Sequence, residues 1–392
     1  MNNKGGHIMK AAVFYGAKDF RIENIEDPKI EPTDILIKVK AAGICGSDLH
    51  SYKEGIFSRP GFVMGHEVAG EVVEVGKKVK GINVGDRVAP MMYGQFDISG
   101  ACGKCFWCTR GQPQWCPTGG HRPCGECEKC KSGQWWLCVK NQRHMLMGYS
   151  RNGGYAEYAY VPYANLGANV FKIPDNLSYA EASFLDPVTG AYKWVKQARP
   201  QKFETAVVTG LGTIGLAVMQ VMKLYVSKVI VSDVSEKRLK LAQELGADVV
   251  INASKEDLLK KVIELTGSGR SFSGKHGGCA DIVMECSGVP IVLQQAVEMT
   301  RTGGRIVLVG LFEKDVPLNM NHIIHKQLSL ISSFSPGKQS ASKDIRDALK
   351  LMADGKVRVK PMISHEFPLD QTMEAFEIQT KADQSVKVII KP

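Results

Sequence analysis

The chain has 392 residues, of which 44% are hydrophobic and 23% charged, with a formal net charge of +10. That length accommodates two or three domains with cores of their own, in an ordinary globular composition. No apolar run reaches the length of a membrane span and no amphipathic transit segment leads the chain. The 50 Lys and Arg residues are scattered rather than gathered into basic runs interleaved with aromatics, which argues for a solvated basic surface and against membrane or nucleic-acid binding.

The opening MNNKGGHI reads as a polar tail, with His7 in it. Strand patterns follow at Met9–Tyr15, Ile35–Lys40 and Glu71–Val75, separated by Gly and Pro. Short β-branched runs with turn signals at close intervals predict a small β-rich domain over residues 9–100. Within it, Cys45-Gly46-Ser47-Asp48-Leu49-His50 and Gly65-His66-Glu67 offer a thiolate, an imidazole and a carboxylate. Three protein ligands with one open position mark a catalytic zinc, which has to bind substrate or water. Taken singly, Cys45 reads equally as a buried core thiol and His66 as a core histidine with its hydrogen bonds met.

Eight of the eleven cysteines then fall in one stretch. Cys102, Cys105, Cys108 and Cys116 are spaced C-x2-C-x2-C-x7-C, and Cys124, Cys127, Cys130 and Cys138 repeat the spacing 22 residues on. Gly103/Gly125, Gly111/Gly133 and Gln112/Gln134 also match, which marks a duplicated lobe. Closely spaced thiolates suit tetrahedral Zn²⁺, and residues 101–144 lack the apolar periodicity of a core of their own. Disulfides fit poorly, since no signal peptide precedes the cysteines and a chain of this size needs no stapling; the thiols point to a reducing cytosol. An iron–sulfur carrier also uses C-x2-C-x2-C runs, but its fourth cysteine comes sooner and precedes Pro, which only Cys116-Pro117 imitates.

Strand-like sequence resumes at Tyr155–Val161, and from about residue 200 the pattern becomes regular βα alternation. Strands are expected at Ala206–Thr209, Val229–Val231, Asp248–Ile251, Asp281–Met284 and Arg305–Val309, with helices over Ile214–Leu224 and Glu236–Leu245. Such alternation predicts a parallel sheet covered on both faces. Gly210-Leu211-Gly212-Thr213-Ile214-Gly215 follows a strand and opens a helix, the setting in which G-x-G-x-x-G holds a dinucleotide diphosphate. The helix N-terminus there favours an anion. Asp233 ends the next strand, where a carboxylate hydrogen-bonds the ribose and repels a 2′-phosphate; this favours NAD over NADP. Arg238 lies close by, as a cover for the adenine edge or as a solvated helix residue. Mixed elements and a strand at Val386–Lys391 close the chain. The expected organisation is a catalytic domain over 1–189 and 334–392 with a doubly wound domain over 190–333 inserted in it.

On these motifs the sequence resembles the zinc-dependent medium-chain alcohol and polyol dehydrogenases, over essentially the whole chain from Met9. The shared elements are G-I-C-G-S-D at 43–48, G-H-E at 65–67, V-G-D-R-V at 84–88, the cysteine lobe, G-G-Y-A-E-Y at 153–158 and the glycine-rich loop. The resemblance implies an α/β fold: a GroES-like β-rich catalytic domain with an inserted Rossmann domain. It implies Cys45 and His66 as catalytic zinc ligands and Glu67 as a carboxylate on the metal or just behind it. Asp48 matches the carboxylate orienting the zinc histidine. Ser47 matches the hydroxyl that receives the alcohol proton, and His50 the outer end of the relay to solvent. Asp186, in Leu185-Asp186-Pro187, stands where the family carries Cys or Glu; it is one methylene shorter than Glu, so either it or Glu67 supplies the carboxylate ligand.

The implied activity is hydride transfer between a secondary alcohol or polyol and NAD, in a cytoplasmic homodimer or homotetramer. A zinc-free quinone or enoyl reductase of the same fold would have no use for Cys45, His66, Glu67 and the two quartets. The loop Ser51–Phe62 and the lobe near His121–His144 are expected to line the pocket. There Lys53, Arg59 and Arg122 leave a charged hydroxy compound open as substrate. Relatives usually carry one structural quartet, and the second copy here keeps the normal spacing to Gly153-Gly154-Tyr155, so the first is the inserted unit. Because both copies keep all four cysteines, metal analysis is expected to return about three zinc ions per chain, one catalytic and two structural. Roughly two equivalents or fewer at full activity would mean that one copy is vestigial.

Overall fold

The computed structural model describes residues 8–55, 58–91, 109, 126–132, 147–149, 151–270, 272, 274, 276–332 and 341–392. His7, Cys102, Cys105, Cys108, Cys116, Arg122, Cys124 and Cys138 lie outside the described residues, as does the Cys130 side chain. Cys127 is buried just before the helix Glu128–Lys131.

The chain opens with β1 (Ile8–Gly16), β2 (Asp19–Glu26), β3 (Ile35–Gly43), β4 (Phe62–Val63), β5 (Glu67–Val75), β6 (Arg87–Pro90), β7 (Tyr158–Val161) and β8 (Val170–Lys172). It continues through β9 (Thr205–Thr209), β10 (Lys228–Asp233), β11 (Val249–Asn252), β12 (Ser268–Arg270), β13 (His276–Gly278), β14 (Ala280–Glu285), β15 (Thr300–Leu308) and β16 (Ser329–Ser332). It closes with β17 (Ile363–Pro368) and β18 (Lys387–Lys391). β18 pairs antiparallel with β3, so a mixed sheet of order β17-β18-β3-β5-β6-β8 takes strands from both ends of the chain.

Between those ends lies a six-stranded sheet of order β11-β10-β9-β14-β15-β16, parallel throughout. Its strands are continuous apolar runs because both faces are covered. Val207, Ile230, Val283 and Ile306 pack on one face. Their neighbours Ala206, Val208, Val229, Val231, Ile282, Met284 and Val307 join the core on the other, as a two-residue side-chain period requires. The chain runs from β9 to β10 on one side, while β14 pairs on the other. That reversal opens a crevice beyond the carboxyl ends of β9 and β14.

The expected βα elements are present, with ends displaced by a residue or two. β15 begins five residues before the expected Arg305, with a bulge opposite β14. The antiparallel pair β12–β13, inserted before β14, was not expected from the sequence. Its strands are three residues each and glycine-rich, too short to carry a periodic signal. No helix among the described residues is long and apolar enough to cross a membrane.

One aromatic cluster braces the candidate site. Phe376, fully buried on the helix Thr372–Gln379, lies 4.7 Å from the Phe20 ring, 5.1 Å from Tyr52 and 5.7 Å edge-on from Tyr155. Tyr52 belongs to the helix Gly46–Glu54, which carries Ser47 and Asp48, so the cluster fixes that helix against β2 and the C-terminal segment. Phe376→Ala is expected to destabilise this region by about 3–5 kcal/mol, the usual cost of emptying a core aromatic site. The denaturant midpoint reads it; an unchanged midpoint would show that the cluster is not a brace.

Candidate active site

Cys45 immediately precedes the helix Gly46–Glu54, and its backbone N–H donates to Asp48 Oδ2 at 3.0 Å. The thiol therefore sits at the positive end of a helix, where negative charge is favoured. His66 directly precedes β5, and Glu67 is its first residue. One donor atom each from Cys45, His66 and Glu67 lies within 4.8 Å of the others, all three at least partly buried.

Behind this set, Asp48 is wholly buried and faces His66 Nδ1 at 3.5 Å. Tyr155 donates to Asp48 Oδ2 at 2.8 Å. Burial alone would raise the Asp48 pKa, but His66, the Cys45 amide and Tyr155 hold it below the usual carboxylate range. Burial likewise opposes charge on His66, yet Tyr149, Asp48 and Cys45 hold its pKa well above that of a free imidazole.

The residues fit a metal on their own chemistry. Asp48 Oδ1 and His66 Nδ1 are buried atoms without a hydrogen bond, set opposite each other. A ring nitrogen turned to a carboxylate leaves Nε2 for an ion, the arrangement by which carboxylates orient zinc-bound histidines. A sulfur, nitrogen and oxygen donor set suits Zn²⁺.

Two further charges meet here. Lys387, on β18, is buried; its ammonium pairs with Glu67 Oε2 and donates to the Ile44 carbonyl at 2.9 Å. Asp186, half-buried at the head of the helix Leu185–Gln197, is not part of the compact donor set. It is within electrostatic reach all the same. Burial pushes its pKa up to about 6 and Glu67 adds to the rise, while His66 and Lys387 pull it down. Sequence reading missed Lys387, a lone lysine in a terminal strand.

Ser47 Oγ accepts a 2.6 Å hydrogen bond from Tyr149, a second residue missed in the sequence. The Tyr149 ring stacks on His66 at 5.2 Å and 27°. His50 is not part of the donor set; its Nδ1 lies 3.9 Å from Glu54 Oε1 and 3.7 Å from Glu313 Oε1. Glu313 follows β15, so this carboxylate comes from the parallel-sheet region.

The glycine-rich loop follows β9 at the carboxyl end of the parallel sheet. Gly210 has φ +82°, and a Cβ there would come within 2.8 Å of the Ser287 backbone. Gly215 packs against the Gly210 carbonyl, whereas a Cβ on Gly212 would meet open space. This is the division of labour expected of a diphosphate loop: a tight turn, room for the ligand, and close helix packing. Thr213 and Ile214 open the helix Thr213–Met222; the Thr213 hydroxyl donates to the Val386 carbonyl at 2.9 Å, and Ile214 packs on the core. Asp233 accepts from Leu211 N at 2.6 Å and from Ser235 N at 2.8 Å. A carboxylate offers about four acceptor positions, so ribose hydroxyls still have a place. Arg238, read as a cover for the adenine edge or as a solvated helix residue, donates to the Ser385 carbonyl at 3.0 and 3.3 Å.

Residues 31–123 match the family model of the alcohol dehydrogenase GroES-like domain, and residues 213–354 that of the zinc-binding dehydrogenases. The L-threonine 3-dehydrogenase of Pyrococcus furiosus is 34% identical over 99% of this chain and 99% of its own. The sorbitol dehydrogenase of Bacillus subtilis is 30% identical over 98% and 97%. Among solved structures, 2R,3R-butanediol dehydrogenase from Bacillus subtilis is 30% identical, with a TM-score of 0.77 over 98% of this chain and 99% of that one.

Because His66 is held protonated above the ordinary imidazole range, a metal at this site must displace a proton. Apparent zinc affinity of the Cys45–His66–Glu67 site should therefore rise with pH, over a range displaced upward from that of a free imidazole. Titration calorimetry in buffers of different ionisation enthalpy, compared with Cys45→Ala, measures the protons released. A pH-independent affinity without proton release would contradict the assignment.

Proposed function

The chain belongs to the zinc-binding alcohol dehydrogenase family, and on that premise we propose that it oxidises a secondary alcohol or polyol, passing hydride to NAD⁺. The observation that carries this reading is the convergence of Cys45, His66 and Glu67 within 4.8 Å, two residues from a serine hydroxyl. Cys45 and His66 hold the zinc, and Glu67 or Asp186 supplies the carboxylate. The Lys387 ammonium on Glu67 Oε2 leaves the other Glu67 oxygen to face an ion. Bound there, Zn²⁺ supplies the Lewis acidity that lets an alcohol ionise near neutral pH.

The chain's own residues do the rest. Asp48 holds the His66 ring from behind, fixing which nitrogen faces the metal. Ser47 receives the alcohol proton, and His50, flanked by Glu54 and Glu313, passes it to solvent. Gly210, Gly212 and Gly215 admit the diphosphate to the helix N-terminus, and Asp233 takes the ribose hydroxyls. Arg238 and Thr213 hold the C-terminal segment against this loop. Each cysteine quartet holds its own structural zinc and takes no part in chemistry, since all four positions are filled by protein.

The relatives are named for threonine, sorbitol and butanediol, each of which bears a secondary hydroxyl, and this supports that substrate class. We further propose a cytoplasmic homodimer or homotetramer, built from a catalytic domain over 1–189 and 334–392 and a cofactor domain over 190–333. A panel of secondary alcohols, polyols and anionic hydroxy compounds, followed by NADH absorbance, identifies the substrate. With the best of them, NAD⁺ should outperform NADP⁺, and Asp233→Ser should narrow the gap by removing the charge that repels a 2′-phosphate. Comparable catalytic efficiency with NADP⁺ in the unmutated protein would sink the cofactor assignment.

A further inference from the structure

We infer that Tyr149 is a positioning residue for the reaction: its hydroxyl, clamped over the metal-site histidine, holds Ser47 in the orientation that accepts the alcohol proton. This rests on the reading of Ser47 as the first proton acceptor.

Tyr149 is held in place by several independent contacts. Gly148 has φ +79°, and a Cβ on it would lie 2.9 Å from the Gly65 backbone, so the two glycines allow their chain segments to touch. That contact presses Tyr149 against His66, the residue after Gly65. The turn is pinned further by Gly148 N donating to the Arg151 carbonyl at 2.8 Å and Arg59 N donating to the Tyr149 carbonyl at 3.1 Å. Ser51 Oγ donates to Ser58 Oγ at 3.0 Å, and Ser58 Oγ donates to the Gly148 carbonyl at 3.4 Å. A circuit closed by the helix backbone thus runs from Ser51, on the same helix as Ser47, through Ser58 and the Gly148 carbonyl to Tyr149, and back to the Ser47 hydroxyl. Such a circuit fixes both ends of the tyrosine–serine bond.

The hydrogen-bonding capacity of serine gives this bond its consequence. A hydroxyl has one proton and two lone pairs. With one lone pair taken by the Tyr149 proton, Ser47 Oγ has one lone pair and its own proton left. It can then accept from the alcohol and donate onward, but it cannot turn to satisfy itself on the phenol. In the proton step the alcohol O–H bond breaks, a new O–H bond forms on Ser47 Oγ, and the original Ser47 proton leaves toward His50. Ser47 ends neutral, and charge that builds on its oxygen during the exchange is met by the phenol O–H.

Tyr149→Phe in the zinc-loaded enzyme separates hydroxyl from ring, because phenylalanine keeps the stack on His66. The expected result is unchanged zinc content and NADH affinity, a KM within about threefold, and kcat lowered about tenfold, the scale of one lost hydrogen bond. In a Ser47→Ala background the same change should cost nothing further, since the hydroxyl acts through Ser47. Full kcat in Tyr149→Phe beside an inactive Ser47→Ala would overturn the inference while leaving the Ser47 reading intact. A fully active Ser47→Ala would remove that reading and this one with it. Zinc loss in Tyr149→Phe, or equal losses with and without Ser47, would also overturn it, by placing the effect in the ring or elsewhere.

Discussion

Burying the Glu67 carboxylate and the Lys387 ammonium together is the constraint around which the site is built. The two residues stand 320 positions apart, both almost without solvent exposure, and neither charge is tolerable there alone. Taking two ions from water costs several kcal/mol each, recovered only through good geometry and further hydrogen bonds. Here the ammonium also has the Ile44 carbonyl, and the carboxylate belongs to the donor set of Cys45 and His66. The pair therefore ties β18 to β3 and β5 at the point where the metal ligands converge. A chain that had not brought its last strand home would have no stable place for either charge.

From that strand the coupling extends to the cofactor crevice through consecutive residues. Ser385 receives Arg238, Val386 receives Thr213 from the glycine-rich loop, and Lys387 reaches the metal site. Within three residues the chain touches the helix after the Asp233 strand, the candidate diphosphate loop and, through the Lys387 side chain, the candidate zinc carboxylate. Hydride transfer requires the reacting carbon and the nicotinamide to be held at contact distance, and effective molarities fall steeply when such positioning loosens. A short segment bonded to both partners is a direct way to hold it. The same economy shows in Asp48, which orients His66, receives the Cys45 amide and accepts from Tyr155.

Much of this was legible in the sequence, for reasons specific to each element. The parallel-sheet strands are buried on both faces and so read as apolar runs, and the glycine-rich loop is recognisable because each glycine has a steric reason to be there. Cys45, His66 and Glu67 were readable as donor types, and the structure does bring their donor atoms together. The parts that were not legible depend on contacts between distant segments. Nothing in the local sequence of Tyr149 announces a bond to Ser47 102 residues earlier. Lys387 is unremarkable until the fold buries it. Proximity in sequence leaves Arg238 open between the adenine edge and solvent, and its bond to the Ser385 carbonyl appears only in the fold. Asp186 has a raised pKa through burial and Glu67, although the ligand position suggested for it lies outside the compact donor set.

On the proposed reading, turnover depends on one zinc held by Cys45, His66 and a neighbouring carboxylate, apart from any zinc in the cysteine quartets. The most direct measurement is zinc stoichiometry by elemental analysis of Cys45→Ala and His66→Ala beside the unmutated protein, with NADH affinity measured on the same samples. Each variant is expected to have about one zinc ion fewer, no turnover, and an NADH dissociation constant close to that of the parent. A variant that kept its full zinc complement and its turnover would contradict it.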